Sequence, residues 1–137
     1  MRYLLDTNAC IAVMNRKPSA LRARLDRALA GDAELFVSAV AAFELWYGVA
    51  KSARQEANAQ RVETFFAGPV NLLPFEEEDA RCAGKIRATL EAARKSIGAY
   101  DLLIAGQALR RNLTLVTANV REFKRIQGLV WEDWAKP

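Results

Sequence analysis

The chain has 137 residues, 52% hydrophobic and 26% charged, a balance that fits one globular domain over 1–137 and excludes disordered and fibrous classes. Twenty Lys and Arg against sixteen Asp and Glu leave a formal charge of +4, compatible with an anionic partner and equally with a mildly basic surface. Histidine is absent, which removes imidazole relays, catalytic triads and His-ligated zinc, so any hydrolysis must use carboxylates, metals or lysine.

Arg2 to Leu5 reads as a short apolar strand, followed by the N-cap types Asp6, Thr7 and Asn8 and a helical run to about Asn15. After Pro18, Leu21, Leu25, Ala28 and Leu29 recur at helical spacing up to Gly31, with Arg22, Arg24 and Arg27 on the other face. Leu35 to Val37 is a second strand and Ser38 a cap. Ala39 to about Lys51 is an apolar helix, and a more charged helix spans about Arg54 to Ala67. Val70 to Leu73 is a third strand. The acidic triplet Glu76 to Glu78 opens a long helix to about Lys95, its charge complementing the N-terminal dipole. Ile97 to Arg111 is another helix, Leu113 to Thr117 a fourth strand, and Leu129 to Trp131 a fifth at the edge. This alternation predicts an α/β three-layer sandwich, a mostly parallel sheet of four to five strands flanked by helices.

Cys10 and Cys82 lack a CxxC spacing and suit a reducing cytoplasm. Asp6 interrupts what would be a signal-peptide core, and no apolar run reaches membrane-spanning length. A cytoplasmic protein without membrane contact is therefore expected.

The informative acids stand alone. Asp6 is the only charged residue from Tyr3 to Asn15, Glu44 the only one from Leu35 to Ala50, and Asp101 the only one between Ser96 and Leu109. Each has a bland explanation: Asp6 as a helix cap, Glu44 as the exposed stripe of its helix, Asp101 as a cap or polar edge. Against this, Asp6 directly follows the first strand, Glu44 lies in the helix after the second, and Asp101 begins the helix entering the fourth. Thr117 and Asn119 follow that fourth strand. In open parallel sheets ligands bind outside the carboxyl ends of the strands, where these positions converge. Carboxylates brought together resist joint ionisation unless a cation sits between them. Oxygen ligands alone favour Mg²⁺ or Mn²⁺, ions suited to phosphate chemistry.

The segments Leu4-Leu-Asp6-Thr-Asn8, Glu44 before Leu45 and Gly48, Ile97-Gly-Ala-Tyr-Asp101-Leu-Leu-Ile-Ala, and Leu115-Val-Thr117-Ala-Asn119-Val-Arg-Glu-Phe123 together resemble the PIN-domain VapC family, in the family's order. The likeness extends to the tail Gly128-Leu-Val-Trp-Glu-Asp-Trp134. The resemblance implies a PIN-like fold and an endoribonuclease dependent on Mg²⁺ or Mn²⁺, with Asp6, Glu44 and Asp101 as its metal-binding acids. It also implies a VapB-like antitoxin that neutralises the toxin, a homodimer and a larger toxin–antitoxin assembly. Many PIN nucleases carry a fourth acid where this chain has Asn119, an amide able to coordinate through its carbonyl or to orient water. The missing charge leaves one or two metal ions open.

Arg110, Arg111, Arg121, Lys124 and Arg125 cluster in sequence around the last motif and are candidates to neutralise RNA phosphates, or simply a solvated surface. No RNA-recognition motif or regular aromatic platform is visible in the sequence. Trp46, Phe65 and Phe66 are candidates for an antitoxin groove, with core packing as the plainer role. Two rival readings are a receiver-like or phosphoryl-transfer module phosphorylated on Asp6, and a non-catalytic PIN-like interaction domain.

Overall fold

The computed structural model describes residues 1–137. Its elements are β1 (Arg2–Leu5), α1 (Thr7–Asn15), α2 (Ser19–Ala30), β2 (Glu34–Ser38), α3 (Ala39–Lys51) and α4 (Gln55–Ala67), then β3 (Asn71–Leu73), α5 (Glu77–Ala92), α6 (Ala99–Arg111), β4 (Thr114–Val116), α7 (Val120–Phe123) and β5 (Trp131–Glu132). The strands form one sheet in the order β3-β2-β1-β4-β5, every neighbouring pair parallel. Tyr3, Leu4 and Leu5 of the central strand are all buried, as expected where both faces of a parallel sheet are covered by helices. No helix is long and apolar enough to cross a membrane.

The strand order reverses between β1 and β4, which makes their carboxyl ends the place where a crevice opens. Leu5 is level with Val37 and Val116, and Val116 with Glu132. The next residues outward, Asp6, Ser38, Thr117 and Asp133, therefore line one edge of the sheet. The order also differs from the 2-1-3-4-5 sheet of receiver domains, which removes the receiver-like reading.

Most elements lie within a residue or two of expectation. The differences have local causes. The fifth strand starts at Trp131 rather than Leu129, because Gly128 turns the chain at φ 86° and the buried Leu129 plugs the core before pairing begins. The short helix α7 was not expected; its one turn is held by Phe123, which is fully buried. The helix expected to reach Lys95 ends at Ala92, where Arg94 takes a left-handed conformation and the Lys95 N–H returns to the Leu90 carbonyl at 2.8 Å. Helix α6 starts at Ala99 rather than Ile97, after Gly98 as an extended cap.

Candidate active site

Asp6 follows β1 and is 3% exposed. Its Oδ1 accepts from Ala9 N at 2.8 Å and caps α1, so the plain capping role is real, but it occupies only one oxygen of the carboxylate. The Thr117 hydroxyl, buried at the end of β4, faces the same carboxylate. Glu44 lies on α3, half-buried, and its Oε1 accepts from the Thr7 hydroxyl at 2.6 Å. Asp101 sits in the first turn of α6, also half-buried. Asn119 donates its amide N–H to Asp101 Oδ2 at 3.4 Å and to Glu122 Oε2, while Glu122 Oε1 accepts from Gly98 N at 3.1 Å.

The electrostatics tie these groups together. Burial, then the charges of Asp6, Glu122 and Glu44, pushes the Asp101 carboxyl up from 3.8 to about 6, against the hydrogen bond from Asn119. Burial, with the charges of Glu44 and Asp133, also raises Asp6, against the Thr117 and Ala9 donors. No Lys or Arg pairs with Asp6, Glu44, Asp101 or Glu122; the ion pairs of the protein lie elsewhere.

The structure thus brings Asp6, Glu44, Asp101 and Asn119 to one edge and adds two acids that sequence reasoning missed. Glu122 lies one helical turn beyond Asn119, a relation hidden while that stretch was read without a helix. Asp133 stands after β5 as Asp6 stands after β1, a parallel hidden by placing the fifth strand two residues early. Asn119 turns its amide nitrogen to Asp101 and Glu122, so that a further carboxylate lies beside this position.

The basic cluster separates. Arg110 and Arg111 end α6, roughly 14 Å along the helix from Asp101. There they bind Glu76, Glu78 and the fully buried Asp79, with Arg110 Nε to Asp79 Oδ1 at 2.8 Å. The two arginines are structural, and their expected place beside the motif is wrong because helical rise carries them to the opposite end. Arg125 donates to the Ser96 carbonyl at 3.1 Å, whereas Arg121 on α7 and Lys124 at its end are exposed. Phe65 is core and Phe66 packs against it, while Trp46 is 39% exposed.

Hard oxygen donors bearing unneutralised charge fit a divalent cation. No three of them close on a common point. Glu44 leans on Thr7 and Glu122 on Asn119, so binding an ion there requires these side chains to rotate inward.

A parallel sheet with acids gathered at its switch point defines the class of an α/β protein with a carboxylate-lined site. The PIN domain model matches residues 3–129, and the chain belongs to the PIN-domain family. Among its relatives, Ribonuclease VapC2 of Rickettsia felis is 38% identical over 136 residues, covering 99% of this chain and 100% of that protein. The tRNA(fMet)-specific endonuclease VapC of Shigella flexneri is 36% identical over 135 residues, covering 98% and 99%. Among solved structures, VapBC2 of Rickettsia felis bound to a DNA fragment from its promoter superimposes with a TM-score of 0.90 at 36% identity, covering 98% of this chain and 99% of that one.

Proposed function

We propose that this chain is the nuclease toxin of a toxin–antitoxin pair and hydrolyses RNA phosphodiester bonds with a Mg²⁺ or Mn²⁺ centre held by Asp6, Glu44, Asp101 and Glu122. The observation that carries the reading is the gathering of these four carboxylates, from four separate stretches of chain, at one edge of the sheet, near enough for their charges to be felt at Asp101 and with no cationic side chain paired to them. Unpaired charge of this density is tolerated where a metal ion is to be held. A divalent ion there supplies Lewis-acid activation of a hydrolytic water and neutralises charge on the scissile phosphate. The chain's own groups do the rest. The Thr117 hydroxyl and the Ala9 N–H orient Asp6, the Thr7 hydroxyl orients Glu44, and the Asn119 amide bridges Asp101 and Glu122. Burial and the neighbouring charges raise the Asp101 carboxyl to about 6, and a bound cation would favour its ionised form.

The antitoxin reading is supported by a groove of about 730 Å³ between α1, α2 and α4. Its floor includes Val13, Leu25 and Phe65, and Arg16, Arg22 and Arg61 lie on its wall. Apolar floor and basic wall suit an amphipathic helix carrying acidic residues.

Incubation of the pure protein with total RNA, with Mg²⁺, Mn²⁺ or chelator, followed by mapping of new ends, tests the reading. We expect discrete new ends that depend on the metal and disappear in Asp101→Asn. An unchanged RNA population in every condition contradicts the enzyme and leaves the non-catalytic PIN-like domain.

A further inference from the structure

The last strand is two residues long, yet it brings an acid to the edge where Asp6 lies. Leu115 N donates to the Val130 carbonyl at 2.9 Å and Thr117 N to the Glu132 carbonyl at 3.0 Å, and these bonds set its height. On the other side of β4, Asp6 N donates to the Val116 carbonyl at 3.1 Å. Asp6, Thr117 and Asp133 are thus level across three neighbouring strands, and the charge of Asp133 is felt at Asp6. Asp133 is half-buried, accepts from Ala135 N through Oδ1 at 2.9 Å and pairs with no Lys or Arg.

A chain end held by so few ladder bonds is ordered only where something else ties it down. Here the tie is Arg24 of α2. Its guanidinium lies 4.9 Å from the Trp134 ring centroid and 5.6 Å from that of Tyr3, and it donates to the Tyr3 hydroxyl at 2.8 Å and to Glu132 Oε1 at 3.3 Å. Trp134 Nε1 donates to the same Glu132 oxygen at 2.8 Å, and the buried Trp134 and Tyr3 rings meet edge to face at 5.0 Å. The clasp grips both neighbours of Asp133 and fastens them to Tyr3, on the strand that leads into Asp6. We propose that Arg24 is a positioning residue for the metal centre: by clasping Glu132 and Trp134 to Tyr3 it holds Asp133 beside Asp6, where the added carboxylate charge strengthens the hold on a divalent cation. This inference rests on the metal-nuclease reading and adds to it one acid and the residue that places it. Its sign separates it from bare electrostatics. Arg24 is a cation bonded to the residue before Asp133, so by Coulomb's law alone its removal tightens the binding of Mn²⁺. Positioning gives the opposite sign, because an unclasped chain end carries the Asp133 charge out into solvent, where it is screened.

The test is calorimetric titration of Mn²⁺ into wild type, Arg24→Ala, Asp133→Asn and the double variant, with Asp101→Asn as a control for the centre itself. We expect Arg24→Ala and Asp133→Asn each to weaken Mn²⁺ binding about fivefold. The double variant binds no more weakly than Arg24→Ala, because the two residues act through one charge. In chelator, Arg24→Ala lowers the melting temperature, whereas Asp133→Asn, which keeps an acceptor for Ala135 N and relieves repulsion of Asp6, does not. If Arg24→Ala does not fold, Arg24→Lys replaces it in the cycle under the same criteria, since lysine keeps the charge but lacks the planar fork that serves two rings and two acceptors at once. Unchanged or tighter binding in the Arg24 variant overturns the positioning role, as do losses that multiply in the double variant. Wild-type affinity in Asp133→Asn also overturns it, and weakened binding in Asp101→Asn then shows that only this inference has failed. A wild-type chain that takes up no Mn²⁺ overturns both this inference and the reading beneath it.

Discussion

Asp101 is half-buried beside other carboxylates, and its protonation measures the cost of that arrangement. Its folded value of about 6 lies above the ordinary 3.8, so between these two pH values the unfolded chain has released a proton that the folded chain still holds. Stability without divalent ions therefore falls as pH rises from about 4 to 6 and levels off above. The loss is at most about 3 kcal/mol, reduced by water reaching a half-buried group. Thermal melts in chelator across this range should show the decline in wild type and a flatter profile in Asp101→Asn, with the variant more stable at pH 7. Asn119→Asp has the opposite sign, since it removes the donor shared by Asp101 and Glu122 and adds a further charge between them. Its melting temperature in chelator should drop, and Mn²⁺ should restore more of the loss than it adds to wild type. Equal melting temperatures for Asn119→Asp and wild type in chelator would remove Asn119 from the cluster. The lone acids were legible in the sequence because an uncharged neighbourhood makes a charge conspicuous. Glu122 was not, because it follows Arg121 and lies two residues before Lys124, where an acid reads as ordinary surface.

The placing of Asp101 depends on how closely α6 lies against α5. A side-chain carbon added at Gly106 would meet Ala83 Cβ at 2.7 Å and the Ala83 backbone N at 2.8 Å, so the two helices approach through the missing side chain. Neither neighbour is a flexible chain end that can move aside. Gly106→Ala should cost about 1–3 kcal/mol in chemical denaturation despite the better helix propensity of alanine, and should lower cleavage by tilting Asp101. A variant as stable as wild type would mean that the helices separate freely. At the far end, Asp79 binds Arg110 and Arg111 from within the capping box that starts α5. Burial raises its proton affinity, but the two arginines and the Glu76 N–H outweigh that and hold the carboxyl below its usual range. Asp79→Ala leaves Arg110 and Arg111 with only the exposed Glu76 and Glu78 at this contact and should destabilise by about 3 kcal/mol, checked by urea unfolding. Helix periodicity and caps made α1 to α6 readable along the chain. The pairing of Arg110 and Arg111 with Asp79 was not readable, because it joins residues 31 and 32 positions apart in sequence.

On the scale of the molecule, the strand–helix alternation was enough to anticipate a parallel sheet, and the reversal between β1 and β4 explains why acids distant in sequence meet. Strand order itself was not legible, since alternation permits several orders. The pairing of β1 with β4 and of β4 with β5 sets Asp6 beside Thr117 and brings Asp133 to the same edge. The clasp of Arg24 on Tyr3 and Trp134 was hidden for the same reason, since it joins residues far apart in sequence. The central claim is that Asp6, Glu44, Asp101 and Glu122 act as one divalent-metal centre. Calorimetric titration of Mn²⁺ into wild type, Asp6→Asn, Asp101→Asn and Glu122→Gln tests it most directly. The account predicts saturable binding by wild type, with proton release at pH 6, and at least about tenfold weaker binding in each variant. Wild-type affinity in all three variants would contradict it.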